Sequence, residues 1–162
     1  MLHDAGGFES GLGIEDVLDQ SRQIEKTLVI LEGSFRMHAI ETVLESTGDP
    51  VINGYQTEFV QVLLNILINA RDALVARKPD APRIDIRLFT EGRRTVVTVA
   101  DNAGGIHEGI IDRIFEPYFT TKGPEQGTGI GLCMSKTIIE KNMGGRLSVR
   151  NTGVGAEFRI EV

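Results

Sequence analysis

From residue 56 to residue 77 the chain runs without a glycine or a proline, through strong helix formers, until Pro79 closes the stretch. It predicts the best helix in the sequence. Leu63, Leu64, Leu67 and Ile68 make most of its surface apolar, while Gln61, Asn65 and Asn69 recur at i, i+4 and i+8 and so share one face. An amide stripe on an otherwise apolar helix is costly to bury unless something hydrogen-bonds it. Such a helix needs a packed layer on its apolar side and polar partners on the other. Those partners are either other groups of the core, which would make the amides plain satisfied core residues, or a ligand.

The remaining segments supply the layer. Ile14, Val17, Leu18, Ser21, Ile24, Leu28 and Leu31 form a three-and-four stripe that predicts an amphipathic helix over residues 14–31, ended by Gly33. Residues 39–45, and again Val51 and Ile52 after the Asp49-Pro50 break, read as short strands. Residues 83–90 and 95–101 alternate and join through Glu91-Gly92-Arg93-Arg94 as a hairpin. A helix is expected over 128–142, stopped by Gly144-Gly145, and 146–150 with 156–162 make a second hairpin. Hairpin-paired strands with helices long enough to cover one face predict a two-layer α+β sandwich rather than a doubly wound parallel sheet. The 162 residues fit one such domain.

Composition narrows the function. With 17 basic and 23 acidic side chains the net charge is −6, which argues against a surface that coats nucleic acid or hugs a membrane. Cys133 is the single cysteine, no Cys and His lie at metal-ligand spacing, and a reducing, cytoplasmic setting is expected. Residues 60–70 are interrupted by Gln61, Asn65 and Asn69, so no segment is expected to cross a bilayer, and the start of the chain has no signal-peptide pattern. Residues 1–13 read as a leading end or linker, and 14–162 as the domain. Glycine is in excess, 19 residues against a usual share of roughly 7%, much of it between residues 104 and 155.

Within that stretch two motifs carry chemistry. Asp101-Asn102-Ala103-Gly104-Gly105-Ile106 puts an acid at a strand end and runs straight into glycines. An aspartate there can accept a hydrogen bond from an exocyclic amine while Gly105 lets backbone approach a flat ring, although an ordinary turn is written the same way. Gly127-Thr128-Gly129-Ile130-Gly131-Leu132 opens the last helix with alternate glycines, a place where backbone N–H groups meet phosphates, or else a hinge. It is neither a P-loop, having no Gly-Lys-Ser or Gly-Lys-Thr, nor a dinucleotide fingerprint, whose spacing differs. Residues 116–126 form a longer connection than usual, of the kind that serves as a lid.

These elements in order, together with Ile114-Phe115-Glu116-Pro117-Tyr118-Phe119-Thr120-Thr121-Lys122, resemble the ATP-binding catalytic domain of sensor histidine kinases, within the wider GHKL ATPase group. The resemblance covers nearly the whole chain from about Ile14. It implies a Bergerat-type fold, a mixed, mostly antiparallel sheet covered on one face by about three helices. The amide stripe corresponds to the N box, residues 101–106 to the first glycine box, 115–122 to the phenylalanine box and 127–132 to the second glycine box. By resemblance Asp101 bonds the adenine amine, Asn69 holds Mg²⁺, and Gly129, Ile130 and Gly131 present N–H groups to phosphates. Lys122 adds charge from the lid, and Phe115 and Phe119 pack its base. The implied nucleotide set is Asn65, Asn69, Asp72, Asp101, Gly105, Ile106, Lys122, Gly127, Thr128, Gly129, Ile130, Gly131 and Leu132, with Asn65 and Lys122 as catalytic groups.

Two positions depart from the pattern. Ala103 stands where a stricter pattern has its first glycine, so alanine must reach that backbone angle. Asp72 and Ala73 stand where many members carry a basic and an aromatic residue that cover phosphate and adenine. Asn65 occupies the place of the glutamate that activates water in the gyrase, Hsp90 and mismatch-repair branch, and an amide cannot take that proton. The resemblance therefore implies transfer of the γ-phosphoryl of Mg-ATP to a histidine on a separate dimerisation domain, and a response regulator receiver domain as the next partner. Neither His3, His38 nor His107 is expected on a helix that would serve as acceptor. A serine kinase of the anti-sigma-factor type and a non-catalytic nucleotide-binding interaction module are the alternative readings. The parent protein is compatible with membrane anchoring, but no direct membrane or nucleic-acid contact is expected from this segment.

Overall fold

The computed structural model describes residues 14–48, 50–52, 56–123 and 128–162, with side chains from residue 22 onward. Five strands form one sheet: β1 (Glu41–Ser46), β2 (Arg83–Glu91), β3 (Arg94–Asp101), β4 (Arg146–Asn151) and β5 (Ala156–Glu161). Their spatial order is β1-β2-β3-β5-β4; β1 runs parallel to β2 and every other neighbour is antiparallel. The helices among the described residues are α1 (Ile14–Met37), α2 (Gln56–Arg77), the short α3 (Glu108–Ile111) and α4 (Gly131–Thr137), and α4 continues as a π-helical turn over Ile138–Asn142. This is the mixed, mostly antiparallel sheet with a helical layer that the sequence predicts.

α2 lies at the centre. Phe59, Val62, Leu63, Ile66, Leu67, Ala70 and Leu74 are buried, against Ile84, Ile86 and Leu88 of β2 and Val97 and Val99 of β3 in one hydrophobic cluster. Alternation along β2 and register with β3 put those strand residues on a single face. The opposite face carries ion pairs such as Arg83 with Asp85 and Arg150 with Glu157, with Arg159 lying over the Phe89 ring. By length and composition α2 is apolar enough to cross a membrane, with a hydropathy of 1.5 over its most apolar window, against the expectation that no segment comes close. Its apolar residues instead fill the core of this sheet.

Three other expectations are corrected. α1 does not end at Gly33, which is open to solvent and costs the helix only its propensity. It continues to Met37 because Phe35, 4% exposed, still packs into the core. The chain then turns through Ala39 at φ 53°, with Ile40 N–H donating to Phe35 O at 2.9 Å and Ala39 N–H to Arg36 O at 3.1 Å. Those two bonds are a Schellman closure, with Ile40 and Phe35 as its buried apolar pair. Val51 and Ile52 are not a strand; the Val51 carbonyl accepts instead from Thr95 Oγ1 at 2.6 Å. The last helix begins at Gly131 rather than at residue 128, because Gly129 takes φ 68°.

Leu67→Ala, at a fully buried position, is expected to cost about 2–5 kcal/mol. Gln61→Ala, exposed on the same helix, should stay within about 0.5 kcal/mol. Urea unfolding of the two variants checks the orientation of α2.

Candidate functional site

Beside α2 opens a cleft of about 1220 Å³ whose walls come from every motif singled out in the sequence. Asn65, Asn69 and Asp72 of α2 line it, with Asp101 at the end of β3, Gly105 and Ile106 after it, Lys122 at the end of the phenylalanine box, and Thr128, Gly129, Gly131 and Leu132 at the start of α4. Two expected residues are not among them. Gly127 lies outside the described residues, and Ile130 does not line the cleft, its N–H pointing to Thr128 Oγ1 at 3.4 Å and its carbonyl accepting from Met134. Gln61 is exposed and away from the cleft, so the amide stripe enters the site only from Asn65 onward.

Asp101 ends β3 and is 7% exposed. Its Oδ1 accepts from the N–H groups of Ala103 at 3.0 Å and Ala156 at 3.3 Å. Among the described residues these are the bonds the carboxylate makes, so Oδ2 is the oxygen left for a ligand. Burial pushes its pKa above the ordinary aspartate value, and the two N–H bonds oppose that rise. Gly155 makes the arrangement possible: a Cβ there would stand 1.9 Å from the Asp101 carbonyl oxygen. Nothing in the sequence motif marks Gly155, which belongs to the β4–β5 turn and acts only through this contact.

The first glycine box is held from the same turn region. Gly104 and Gly105 adopt φ 89° and 88°, whereas Ala103 is absent from the positive-φ residues, so alanine is accommodated there without backbone strain. Asn151 at the end of β4 accepts from Ile106 N–H at 2.7 Å and donates to Ile106 O at 2.6 Å, fixing the loop after Gly105. This clamp is also invisible in the linear pattern, since 45 residues separate the partners.

On α2, Asn65 donates from Nδ2 to Gly131 O at 3.2 Å and to Ser135 Oγ at 3.1 Å. The N box and the start of α4 are thereby tied together, and Ser135, fully buried one turn after Gly131, completes the link by donating to Gly131 O at 2.8 Å. Asn69 donates to the Asn65 carbonyl at 3.0 Å and presents Oδ1 to Lys122 Nζ at 3.2 Å. Lys122 also pairs with Asp72 at 2.6 Å, and Asp72 with Arg71 at 3.1 Å.

The phenylalanine box is packed rather than free. Ile114 is buried, Phe115 meets Phe158 edge-on at 6.3 Å and carries Lys136 Nζ over its ring at 4.6 Å, and Arg113 covers Phe119 at 4.7 Å. Phe115 and Phe119 thus form the base from which residues 120–123 leave for the cleft, as expected; residues 124–126 of the expected lid lie outside the described residues. Tyr118, 76% exposed, takes φ 63°, and its N–H donates to Gly129 O at 2.8 Å. A Cβ on Gly129 would come 2.5 Å from the Tyr118 backbone, so this glycine is required by close approach as much as by its turn. Ile106, Ile110, Ile114 and Phe158 add apolar lining to the cleft, and no motif announces Ile110 or Phe158. His107 caps α3, accepting from Gly109 N–H at 2.9 Å, and is not on a helix face.

One cleft thus combines a buried carboxylate with a free oxygen, several apolar side chains, and a lysine beside an amide oxygen, groups that suit a flat polar ring and an anionic tail. Comparison with known proteins agrees. Residues 54–162 match the family described as histidine kinase-, DNA gyrase B-, and HSP90-like ATPase, and the chain belongs to that family. Within it the likeness is to histidine kinases. The chain is 39% identical over 149 residues to the two-component sensor PprA of Pseudomonas aeruginosa, covering 89% of this chain and 16% of that protein. It therefore spans about a sixth of the length of that curated relative. Its fold matches the catalytic domain of histidine kinase ThkA with a TM-score of 0.77 at 29% identity, covering 88% of this chain and 90% of that one. ThkA has also been solved in complex with the response regulator protein TrrA; there the TM-score is 0.70 at 26% identity, over 88% of this chain and 39% of the other.

Asp101→Asn puts a donor in place of an acceptor. It is expected to weaken adenine-nucleotide binding about 5- to 150-fold, equivalent to roughly 1–3 kcal/mol. Because the folded pKa of Asp101 is raised, ionising it costs the folded state stability, a cost absent below the unfolded value and growing as pH rises through the folded one. The variant should therefore melt no lower than the wild type near pH 7 without nucleotide. Calorimetry and thermal unfolding together check this, and equal affinity would remove Asp101 from the site. In the wild type, affinity should begin to fall on acidification at a higher pH than an ordinary aspartate would give.

Proposed function

We propose that this chain, over residues 14–162 with 1–13 leading into it, is the ATP-binding catalytic domain of a sensor histidine kinase. It binds Mg-ATP and passes the γ-phosphoryl group to a histidine on a dimerisation domain outside this chain, from which a response regulator receiver domain takes it. The observation that carries this reading is that Asp101, Asn69, Lys122 and the start of α4 line one cleft.

The residues divide the work along the nucleotide. Asp101 Oδ2 accepts from the adenine amine, which selects against guanine because that ring offers a carbonyl at the same edge. Ile106 and Gly105 lie along the ring, with Ile110, Ile114 and Phe158 supplying apolar cover that Ala73 does not. Asn69 Oδ1 already accepts from a cationic nitrogen, and a neutral amide oxygen suits Mg²⁺, which takes few protein ligands. When bound, that ion draws off phosphate charge. Lys122 pairs with phosphate oxygens, and Thr128, Gly129, Gly131 and Leu132 supply the wall at the start of α4.

Asn65 holds that wall in place through Gly131 and Ser135 and offers no base to an attacking water. Hydrolysis is therefore slow, and the γ-phosphoryl waits for a side chain brought by the partner domain. A cytoplasmic setting fits, where ATP is supplied and the single thiol, Cys133, stays reduced.

Two measurements test the proposal. Asn69→Ala is expected to weaken Mg-ATP binding by tenfold or more, while adenosine binding changes by less than about twofold; equal losses would misplace Asn69. Mixing the chain with the separately produced dimerisation domain of its parent and γ-labelled ATP should give an acid-labile phosphohistidine, with no label on this chain alone. Label on serine would instead favour the anti-sigma-factor type of kinase. Nucleotide binding without any transfer would favour the interaction module.

A further inference from the structure

Asp72 follows Asn69 by three residues on α2 and so projects from the same face of the helix. Its two oxygens have different partners. Oδ1 accepts from Arg71 Nε at 3.2 Å and Nη2 at 3.1 Å, and Oδ2 accepts from Lys122 Nζ at 2.6 Å. The same ammonium donates to Asn69 Oδ1 at 3.2 Å. One cationic nitrogen is thus shared between the amide oxygen assigned above to a metal ion and a carboxylate beside it. The side chains of Lys122 and Asp72 are 27% and 30% exposed, so the pair is partly shielded from water and screened less than a surface pair. Arg71 does not stand in for the lysine, because it is spent on Asp72 and on Ser34 Oγ at 3.1 Å.

Resting on the nucleotide-binding reading, we propose that Asp72 is a specificity-determining residue, which makes the phosphate end of the cleft accept a triphosphate that carries a divalent cation and reject the metal-free one. Lys122 already donates to Asp72 and Asn69, so a phosphate must share its ammonium with them. A metal-free triphosphate then sets its negative charge beside a carboxylate that shares its lysine and is otherwise held only by Arg71, and like charges at this range repel. A triphosphate that brings its own cation supplies the positive charge the ammonium gives up. Discrimination of this kind is a repulsive element set against one form of the ligand, which is how a site separates two ligands sharing nearly every contact. A basic residue at position 72 would instead favour the metal-free form, which carries the greater negative charge.

Calorimetric titration of the whole chain with AMPPNP, at fixed ionic strength, once in EDTA and once in excess Mg²⁺, tests this. Asp72→Asn is expected to bind metal-free AMPPNP about three- to tenfold more tightly than the wild type, which narrows the gap between the two forms from the metal-free side. Unchanged or weaker metal-free binding overturns the proposal. So does a gap between the two forms that narrows only because Mg-AMPPNP weakens, since Asp72 would then act as a plain cation ligand. Lys122→Gln leaves the carboxylate without its lysine and is expected to lose more affinity for the metal-free form than for the magnesium form; equal losses also overturn it. A wild-type chain that binds AMPPNP in neither condition overturns the nucleotide-binding reading itself, a failure distinct from a wild type that binds normally and an Asp72→Asn variant that behaves like it.

Discussion

Everything in this domain depends on the burial of one face of α2 against the sheet. Val62, Leu63, Ile66 and Leu67 are fully buried, and together they fix the rotation of the helix about its axis. An α-helix has no independent freedom once that face is set, so the same packing decides where Asn65, Asn69 and Asp72 point. The core and the candidate site are two sides of a single element. Few surface changes can shift the amides without also opening a cavity behind them.

The site is then assembled by contacts that reach across the chain rather than along it. Asn65 ties α2 to the start of α4, Asn151 clamps Ile106, and Gly155 admits Asp101 to within van der Waals range of the last hairpin. Each contact settles backbone that would otherwise be a glycine-rich loop with little to fix it. The charge arrangement follows the same logic. Asp101 is buried with its Oδ1 satisfied and Oδ2 left over, whereas Asp72 and Lys122 satisfy one another in the absence of an anionic ligand. Asp101 and Asp72, which both line the cleft, are therefore in unlike states, one raised in pKa by desolvation and one paired with a cation.

Much of this was legible beforehand. α2 was predicted from residue 56 to residue 77 and is found over Gln56–Arg77, because a helix without breakers, closed by Pro79, leaves no competing local structure. The two hairpins were legible because strand alternation and turn residues are local signals. The ends of α1 and α4 were not. Phe35 carries α1 past Gly33 because tertiary burial outweighs one glycine's propensity, and Gly129 delays α4 because its backbone is committed to Tyr118. A hydropathy count on α2 is likewise silent on whether its apolar face meets lipid or a sheet.

The sequence by itself determined which residue types are available and in what order: an amide stripe, an acid running into glycines, aromatics before a lysine, and alternate glycines opening a helix. Those are short-range facts, set by spacing along one element. Only the tertiary structure decided which of them meet. It left Gln61 and Ile130 out of the cleft, brought in Phe158, braced the walls from behind with Ser135 and Asn151, and joined Lys122 to Asp72 and Asn69 across a separation of 50 residues or more. Such pairings depend on the register of the sheet and the rotation of α2 at once, and a side chain's distant partner is fixed only when both have been set by the core.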